Sequence, residues 1–372
     1  MHILITANAA WNILNFRRAI VEAMVADGHS VTVLVPFDNH VSELELLGCK
    51  VLHLEMCVKS LSPRQDLKLI GHMRKIFRTQ QPDIIFSYTI KNNIFGALAI
   101  RPLGIPFIPN VTGLGTAFLS GGFLQLIAEC LYKLAFYKLN TVFFQNEDDK
   151  NLFIKKRLVT VNQAKVLPGS GIDLNHFVAM DYPIENNAPI FLMISRLLGD
   201  KGVFEFIAAA RKVKADHPLV RFQLLGSVDT GNSKAIHLAT VKSWDEEGVI
   251  EYLGTNDDVR PYITAAHCVV LPSYREGAPR CLIEAAAMAR PLIATDVPGC
   301  RSVIDDEKTG FLCKVRDEED LINSIYDFLK LSSYDRACMG RMGRMKMAKS
   351  FDQAIVVKAY QNALASELLL LD

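Results

Sequence analysis

Two glutamates, Glu276 and Glu284, bracket a glycine, a proline and the start of an apolar run in Ser273-Tyr274-Arg275-Glu276-Gly277-Ala278-Pro279-Arg280-Cys281-Leu282-Ile283-Glu284. Carboxylates accept hydrogen bonds from hydroxyl groups, so the pair suits a ligand rich in them, such as a sugar or a ribose. A strand, a Gly-containing loop and a helix starting near Pro279 would aim backbone N–H groups and the positive end of the helix dipole at an anion. A diphosphate fits that end. In such a helix Glu284 stands about one and a half turns inside and reaches a different part of the ligand from Glu276. At an arbitrary spacing two glutamates are most simply a solvated loop charge and a helix-surface charge. Their placement around a strand–Gly–Pro–helix turn points to function instead.

Ile194-Ser195-Arg196-Leu197-Leu198-Gly199-Asp200-Lys201-Gly202 is the second such element. Arg196 and Lys201, set on a Gly-bearing turn at the end of an apolar strand, would grip phosphate oxygens and stabilise a departing nucleotide as its negative charge grows. An isolated Arg and Lys are ordinarily solvated; their position at a strand's carboxyl end is what singles them out.

Both elements need strands that end where the chemistry begins. Short β-rich runs alternate with longer amphipathic stretches almost from end to end, the pattern of parallel sheets wrapped by helices. The strands expected in the first half are Ile3–Thr6, Ser30–Val35, Val51–Leu54, Ile84–Ser87, Phe107–Val111 and Val142–Gln145. In the second half they are Ile190–Ser195, Arg221–Leu225, Val249–Leu253, Cys268–Leu271 and Pro291–Ala294. Breakers at Pro168-Gly169 and in the polar stretch Asp181–Pro189 mark a boundary. The expectation is an α/β chain of two doubly wound domains. Ligands bind such sheets outside the carboxyl ends of their strands, so two of them facing one another would form an interdomain cleft.

Composition agrees with a folded enzyme: 372 residues suit two domains, half are hydrophobic, and no segment is of low complexity. The 41 basic and 40 acidic residues nearly cancel, which argues against a nucleic-acid partner. The balance is uneven, residues 1–168 carrying a net +6 and residues 169–372 a net −5. A basic first half suits an anionic surface. The eight cysteines (Cys49, Cys57, Cys130, Cys268, Cys281, Cys300, Cys313 and Cys338) form no C-x-x-C pair and suggest neither a zinc site nor a disulfide framework; reduced cytosolic thiols fit best. The opening residues Met1-His2-Ile3-Leu4-Ile5-Thr6 read as a buried strand and not as a signal peptide, and no apolar run is long enough to span a bilayer. His53, His72, His217, His237 and His267 have no metal-ligand spacing, so core or surface roles are expected of them.

Taken together, these segments resemble glycosyltransferase family 4. Glu276 to Glu284 is similar to its E-x7-E signature, and Arg196 to Lys201-Gly202 to its R-x4-K-G clamp. Val166-Leu167-Pro168-Gly169-Ser170-Gly171-Ile172-Asp173, with Phe177, resembles the family's hinge, Gly169 and Ser170 replacing the usual residues. Leu253-Gly254, Leu271-Pro272-Ser273, Pro298-Gly299 and Thr309-Gly310-Phe311-Leu312 follow in family order. The resemblance covers nearly the whole chain. It implies the GT-B fold, a retaining reaction, a nucleotide-sugar donor and no required metal, and the chain contains no Asp-x-Asp motif. It divides the chain into an acceptor-binding domain, 1–168 with a crossing helix 351–372, and a donor-binding domain, 169–350.

Carried over by position, the resemblance gives Arg196 and Lys201 to the diphosphate, Glu284 to the ribose and Glu276 to the transferred sugar, with the Gly277 and Ala278 amides beside it and Gly254 in the same donor site. In the first domain Asn15, Thr112 and Gly113 are the donor-site candidates. Two departures stand out there. Ala7-Asn8-Ala9-Ala10-Trp11-Asn12 replaces the family's glycine-rich loop, and Asn110-Val111-Thr112-Gly113-Leu114-Gly115 carries Thr112 where many relatives place a histidine. The Asn15-Phe16-Arg17 and Thr112 to Gly115 variants look like those of a bacterial subgroup that adds N-acetylhexosamines, including N-acetylgalactosamine, to undecaprenyl-diphosphate-linked saccharides in surface polysaccharides such as O-antigen. The donor that this implies is a UDP-sugar and the acceptor a lipid-linked saccharide.

Such an acceptor implies work at the inner face of a bacterial cytoplasmic membrane. Leu67–Arg78 is basic and amphipathic, and Phe118–Lys138 is rich in Phe, Leu and Tyr, so either could lie on anionic lipid as a peripheral contact. Helices of this kind more often pack on their own sheet. A GT-B sugar-nucleotide 2-epimerase and a non-catalytic sugar-nucleotide binder are the alternatives. The Arg196/Lys201 and Glu276/Glu284 pairs favour transfer over both.

Overall fold

Near-continuous apolar runs can be buried on both faces of a sheet only when helices cover each face, which is the economy of parallel α/β structure. The computed structural model describes all residues except 59–61, 115–121, 185–187, 229–231, 233 and 369–372. It divides into two compact units, Met1–Ser170 with Gln353–Asp372, and Gly171–Asp352.

The first unit holds seven strands: β1 His2–Thr6, β2 Ser30–Val35, β3 Lys50–His53, β4 Ile84–Tyr88, β5 Phe107–Val111, β6 Val142–Phe144 and β7 Ala164–Val166. All pair in parallel, in the order β3-β2-β1-β4-β5-β6-β7. Side chains alternate across the sheet. Leu4, Leu34 and Ile85 enter one core, while Ile3, Ile5, Val33, Val35 and Phe86 enter another. Val356, Tyr360, Ala363 and Leu364 of the helix Gln353–Leu368 complete the second core. The Tyr360 hydroxyl accepts a hydrogen bond from the buried Asn110 amide at 3.0 Å, and its ring stands edge-on to Phe86.

The second unit repeats the plan with β8 Ile190–Ile194, β9 Arg221–Leu225, β10 Glu251–Tyr252, β11 Cys268–Leu271, β12 Leu292–Thr295 and β13 Gly310–Cys313, in the order β10-β9-β8-β11-β12-β13. Its pairings are parallel as well. Strand order reverses between β1 and β4 in the first unit and between β8 and β11 in the second. Loops leaving the carboxyl ends of two such strands diverge to opposite faces and open a crevice.

The expected strands are present, with shifts at their ends. Val249–Leu253 shortens to β10 at both ends, although the Leu253 amide still donates to the Leu224 carbonyl at 2.9 Å before the chain turns at Gly254, φ +70°. Edge strands β7 and β13 were not expected as strands. The first has three residues, with Lys165 exposed in the middle; the second overlaps the Thr309–Leu312 motif and ends one residue beyond it, at Cys313. The expected helix 351–372 begins at Gln353, since Phe351 closes the preceding helix Ser333–Ser350 and Asp352 pairs with Ile172 in an isolated bridge; residues 369–372 lie outside those described.

Candidate active site

Both elements singled out by their chemistry flank the switch point of the second unit. Arg196 to Lys201 follows β8 and ends in a short 3-10 turn, Gly199–Lys201; Ser273 to Pro279 follows β11 and leads into the helix Arg280–Ala287. One close approach locks these two loops together, and a second braces the β11 loop from the helix Pro298–Val303. Gly202, at φ +76°, lies so near Pro272 that a Cβ there would sit 2.0 Å from the Pro272 carbonyl oxygen. Only glycine fits both the conformation and the gap. Gly299 is pressed likewise on the backbone of Glu276 and Gly277, at 2.8 Å from an added Cβ. Hydrogen bonds finish the join: the Tyr274 amide and Ser273 hydroxyl both donate to the Asp200 carbonyl, at 2.9 and 3.3 Å, and the Tyr274 hydroxyl donates to Glu205 at 2.6 Å. The Arg316 guanidinium stacks 4.6 Å over the Tyr274 ring.

On this scaffold the Lys201 ammonium meets the Glu276 carboxylate at 2.5 Å, both side chains largely shielded from solvent. Burial pulls the ammonium's pKa down, but the charge and hydrogen bond of Glu276 outweigh it and leave Lys201 above its ordinary value. Glu284 is the fifth residue of its helix, little more than one turn in and not one and a half, and it pairs with Arg280 at 2.7 Å. Burial raises its pKa against the opposing charge and hydrogen bond of Arg280. Between the two carboxylates lies Cys281, whose thiol is pushed up to about 12, chiefly by burial and then by Glu276 and Glu284. A thiol held this high stays protonated near neutral pH.

Arg196 is exposed on the same loop as Lys201, and Gly277 and Ala278 are half-buried beside Glu276. Gly254 stands beyond the end of β10, two strands over from β8, where its carbonyl accepts from the Gly226 amide at 2.8 Å. Gly226 is itself pressed against the Ser195 backbone, so a chain of contacts runs from Gly254 to the Arg196 loop. Sequence reasoning treated Glu276 and Lys201 as separate contacts and passed over Arg280. An Arg four residues before a Glu at a helix start was the available signal for the latter.

Asn15, Thr112 and Gly113 belong to the first unit. The chain enters the helix Ala10–Ala26 directly after Ala9, without a glycine loop, and the Asn15 amide turns back to the Trp11 carbonyl at 3.0 Å. Thr112 and Gly113 follow β5, and Gly113 has φ +150°. With the Gln145 amide oriented to satisfy both its ends, it accepts from the buried Arg17 at 3.1 Å and donates to the Thr112 carbonyl at 3.2 Å. Gly115 lies outside the described residues.

The two amphipathic stretches behave differently. Leu69, Met73 and Phe77 of the helix Pro63–Gln80 pack into the sheet, so that stripe is ordinary core. The helix Gly122–Phe136 buries Tyr132, Ala135 and Phe136 at its end but leaves Phe123, Leu126 and Leu134 exposed, at 78%, 59% and 51%. Residues 118–121 of that stretch lie outside those described. Lys133 and Lys138 flank the exposed face, Lys138 lying 5.5 Å from the centre of the half-exposed Tyr137 ring. Among the described residues no helix is long and apolar enough to cross a membrane, and no group of three or more His, Cys, Asp or Glu side chains is placed to hold a metal ion. His267 has a core role: it is buried, accepts from the Ile190 amide at 3.1 Å, and titrates near 4 because of burial and the charges of Arg336 and Arg290.

Two doubly wound parallel units, with charged residues at the switch point of the second, are the architecture of the GT-B fold, and comparison with known proteins makes the class that of a glycosyltransferase. Residues 2–146 match the family model described as glycosyl transferase 4-like, and residues 179–345 that described as glycosyl transferases group 1. The N,N'-diacetylbacillosaminyl-diphospho-undecaprenol alpha-1,3-N-acetylgalactosaminyltransferase of Campylobacter jejuni is 30% identical over 341 residues, covering 87% of this chain and 88% of that protein. The UDP-Gal:alpha-D-GlcNAc-diphosphoundecaprenol alpha-1,3-galactosyltransferase of Escherichia coli is 24% identical, with 72% and 71% covered. Among solved structures, sucrose-phosphate synthase from Thermosynechococcus elongatus superposes over the whole of both chains with a TM-score of 0.80 at 19% identity. Anabaena HepE in complex with UDP-glucose does so with a TM-score of 0.78 at 18% identity, covering 98% of this chain and all of that one. This chain belongs to glycosyltransferase family 4.

Proposed function

We propose that the protein moves an N-acetylhexosamine, such as N-acetylgalactosamine, from a UDP-sugar to a saccharide carried on a polyprenyl diphosphate, with retention, in the assembly of a bacterial surface polysaccharide. The observation that carries the reading is the charged cluster at the β8/β11 switch point. There Lys201 and Glu276 meet on two interlocked strand-end loops and Glu284 stands a turn into the adjoining helix. The Campylobacter relative, named for transfer of N-acetylgalactosamine to a diphospho-undecaprenol acceptor, supports the choice of sugar and carrier.

In this reading the second unit takes the donor. Arg196 and Lys201 hold the diphosphate, Glu284 the ribose, and Glu276 the sugar hydroxyls together with the Gly277 and Ala278 amides, Gly254 lining the same site. The first unit takes the acceptor, and Asn15, Thr112 and Gly113 are its candidate residues for donor binding. The anomeric C–O bond to phosphate breaks as the acceptor hydroxyl bonds to the same face of the sugar, and the departing phosphate takes the hydroxyl's proton. No protein base and no metal take part, and Thr112 in place of a histidine is consistent with that. The cations and backbone amides then carry the stabilisation of the leaving charge.

Incubation with a panel of UDP-sugars and polyprenyl-diphosphate saccharides tests the reading. Transfer is expected from a UDP-N-acetylhexosamine, and EDTA is expected to leave the rate unchanged. Epimerised nucleotide sugar, or binding without turnover, would replace transfer with one of the two alternatives. Loss in EDTA with recovery on adding a divalent ion would overturn the metal-free mechanism.

The acceptor's lipid gives the exposed face of the helix Gly122–Phe136 an occupant. An apolar patch flanked by lysines suits the headgroup boundary of an anionic membrane, at the inner face of the cytoplasmic membrane in this reading. Co-sedimentation with phosphatidylglycerol vesicles is expected for the wild type and is expected to fall severalfold in Phe123→Ser/Leu126→Ser. Equal sedimentation of both would remove this helix from membrane contact.

A further inference from the structure

We infer that Arg280 is a positioning residue for donor binding: it holds the Glu284 carboxylate in place for the ribose of the nucleotide. The inference rests on the donor-site reading above and adds to it a residue that makes no contact of its own with the donor.

Arg280 breaks two local rules. As the first residue of the helix Arg280–Ala287 it sets a cation at the positive end of the dipole, and no acidic residue offsets it in the first turn. Its partner Glu284 lies four residues on, the less favourable order for an ion pair along a helix. Helix stability therefore does not account for the pair. Sites where a local rule is broken without a gain in stability are where function is to be sought.

Its setting differs from that of the unit's surface pairs. Arg280 and Glu284 side chains are 28% and 12% exposed, against 49% and 49% for Arg211 and Glu247 and 46% and 39% for Arg221 and Glu251. Leu282, Ile283, Ala285, Ala286 and Ala287 around Glu284 are buried, and burial by itself favours a neutral carboxyl. The Arg280 charge and the hydrogen bond from its Nε to Glu284 Oε1 act against that. On its other side the guanidinium reaches towards the Gly171 carbonyl at 3.5 Å, so it bridges the start of the unit to the helix. A carboxylate offers about four acceptor positions, and one guanidinium partner fixes its plane while leaving capacity for hydroxyl donors.

Calorimetric titration with UDP on wild type, Arg280→Met, Arg280→Lys, Glu284→Gln and the double variant Arg280→Met/Glu284→Gln tests this, with donor kinetics alongside. Arg280→Met is expected to weaken UDP roughly tenfold, the scale of one charged hydrogen bond, and to raise KM similarly with kcat within about twofold. Arg280→Lys, which keeps the charge, should recover part of the loss. In the Glu284→Gln background the Met substitution should change UDP affinity by no more than about twofold, because a residue that acts through another has no effect once that other is altered. Unchanged UDP binding in Arg280→Met, or equal losses in the two backgrounds, would overturn the inference while leaving the donor site intact. Failure of the wild type to bind UDP would instead defeat the functional reading on which it stands. Should Arg280→Met not fold, Arg280→Lys and its double variant with Glu284→Gln carry the same comparison.

Discussion

Arg196→Ala and Lys201→Ala are each expected to lower kcat by about 10²–10³-fold, the usual effect of removing one preorganised donor aimed at charge that develops in the transition state. Their effects on the fold should differ, and the difference comes from the site's geometry. Arg196 is exposed, so its loss should shift stability by no more than about 0.5 kcal/mol. Lys201 is bonded to Glu276, and removing it strands a carboxylate whose side chain is only 12% exposed. Stranding one partner of a shielded pair costs more than the pair contributed, about 1–3 kcal/mol here. Lys201→Met/Glu276→Gln should recover most of that stability without recovering turnover. Rate measurements at saturating donor, with thermal melts of the three variants, check this. Wild-type turnover in either single variant would remove that cation from the mechanism, and recovery of turnover in the double variant would make the Lys201 defect one of folding.

Glu276→Gln and Glu284→Gln are expected to fail in different ways. Glu284, assigned to the ribose, is remote from the reacting carbon, so its replacement should weaken UDP and intact donor alike. Glu276, assigned to the sugar, should leave UDP affinity within about twofold and lower transfer by ten- to a hundredfold, the worth of about 1.5–3 kcal/mol of charged hydrogen bond. The Lys201 contact refines this. Glutamine keeps an acceptor for the ammonium but no charge, so a small loss of UDP affinity through a less well-oriented Lys201 belongs to the expected result. UDP calorimetry beside donor kinetics on both variants decides it. Equal loss of UDP affinity in the two would mean that at least one carboxylate has been given the wrong partner.

The fold was legible because buried parallel strands announce themselves: β8 and β11 are apolar throughout, and each is followed within two residues by a serine or a proline. Strands with little burial were not. Lys165 interrupts β7, and β13 has two half-buried residues among its four, so neither carries the pattern of a central strand. The same difference governed the site. Glu276, Glu284, Arg196 and Lys201 stood out by type and spacing, but spacing along a chain says nothing of the 2.5 Å contact between residues 75 positions apart. That contact is built on close backbone approach: the missing Cβ of Gly202 lets its loop meet Pro272, and that of Gly299 lets the helix Pro298–Val303 back the Glu276 loop. The helices of the first unit make the same point. Leu67–Arg78 and the stretch up to Lys138 look alike as amphipathic sequence, and only packing separates the one that is core from the one that is not.

The helix Gln353–Leu368 closes the core of a unit whose other residues precede it by the whole length of the second unit. During synthesis the first sheet therefore emerges with Phe86 and Phe143 lacking the Tyr360 ring that packs on them, while residues 171–352 form a contiguous stretch that can fold as it is made. The first unit is complete only after the second has been made. A ribosome stalled or terminated before Tyr360 leaves Phe86 and Phe143 without that cover, an exposed apolar patch that chaperones and proteases act on.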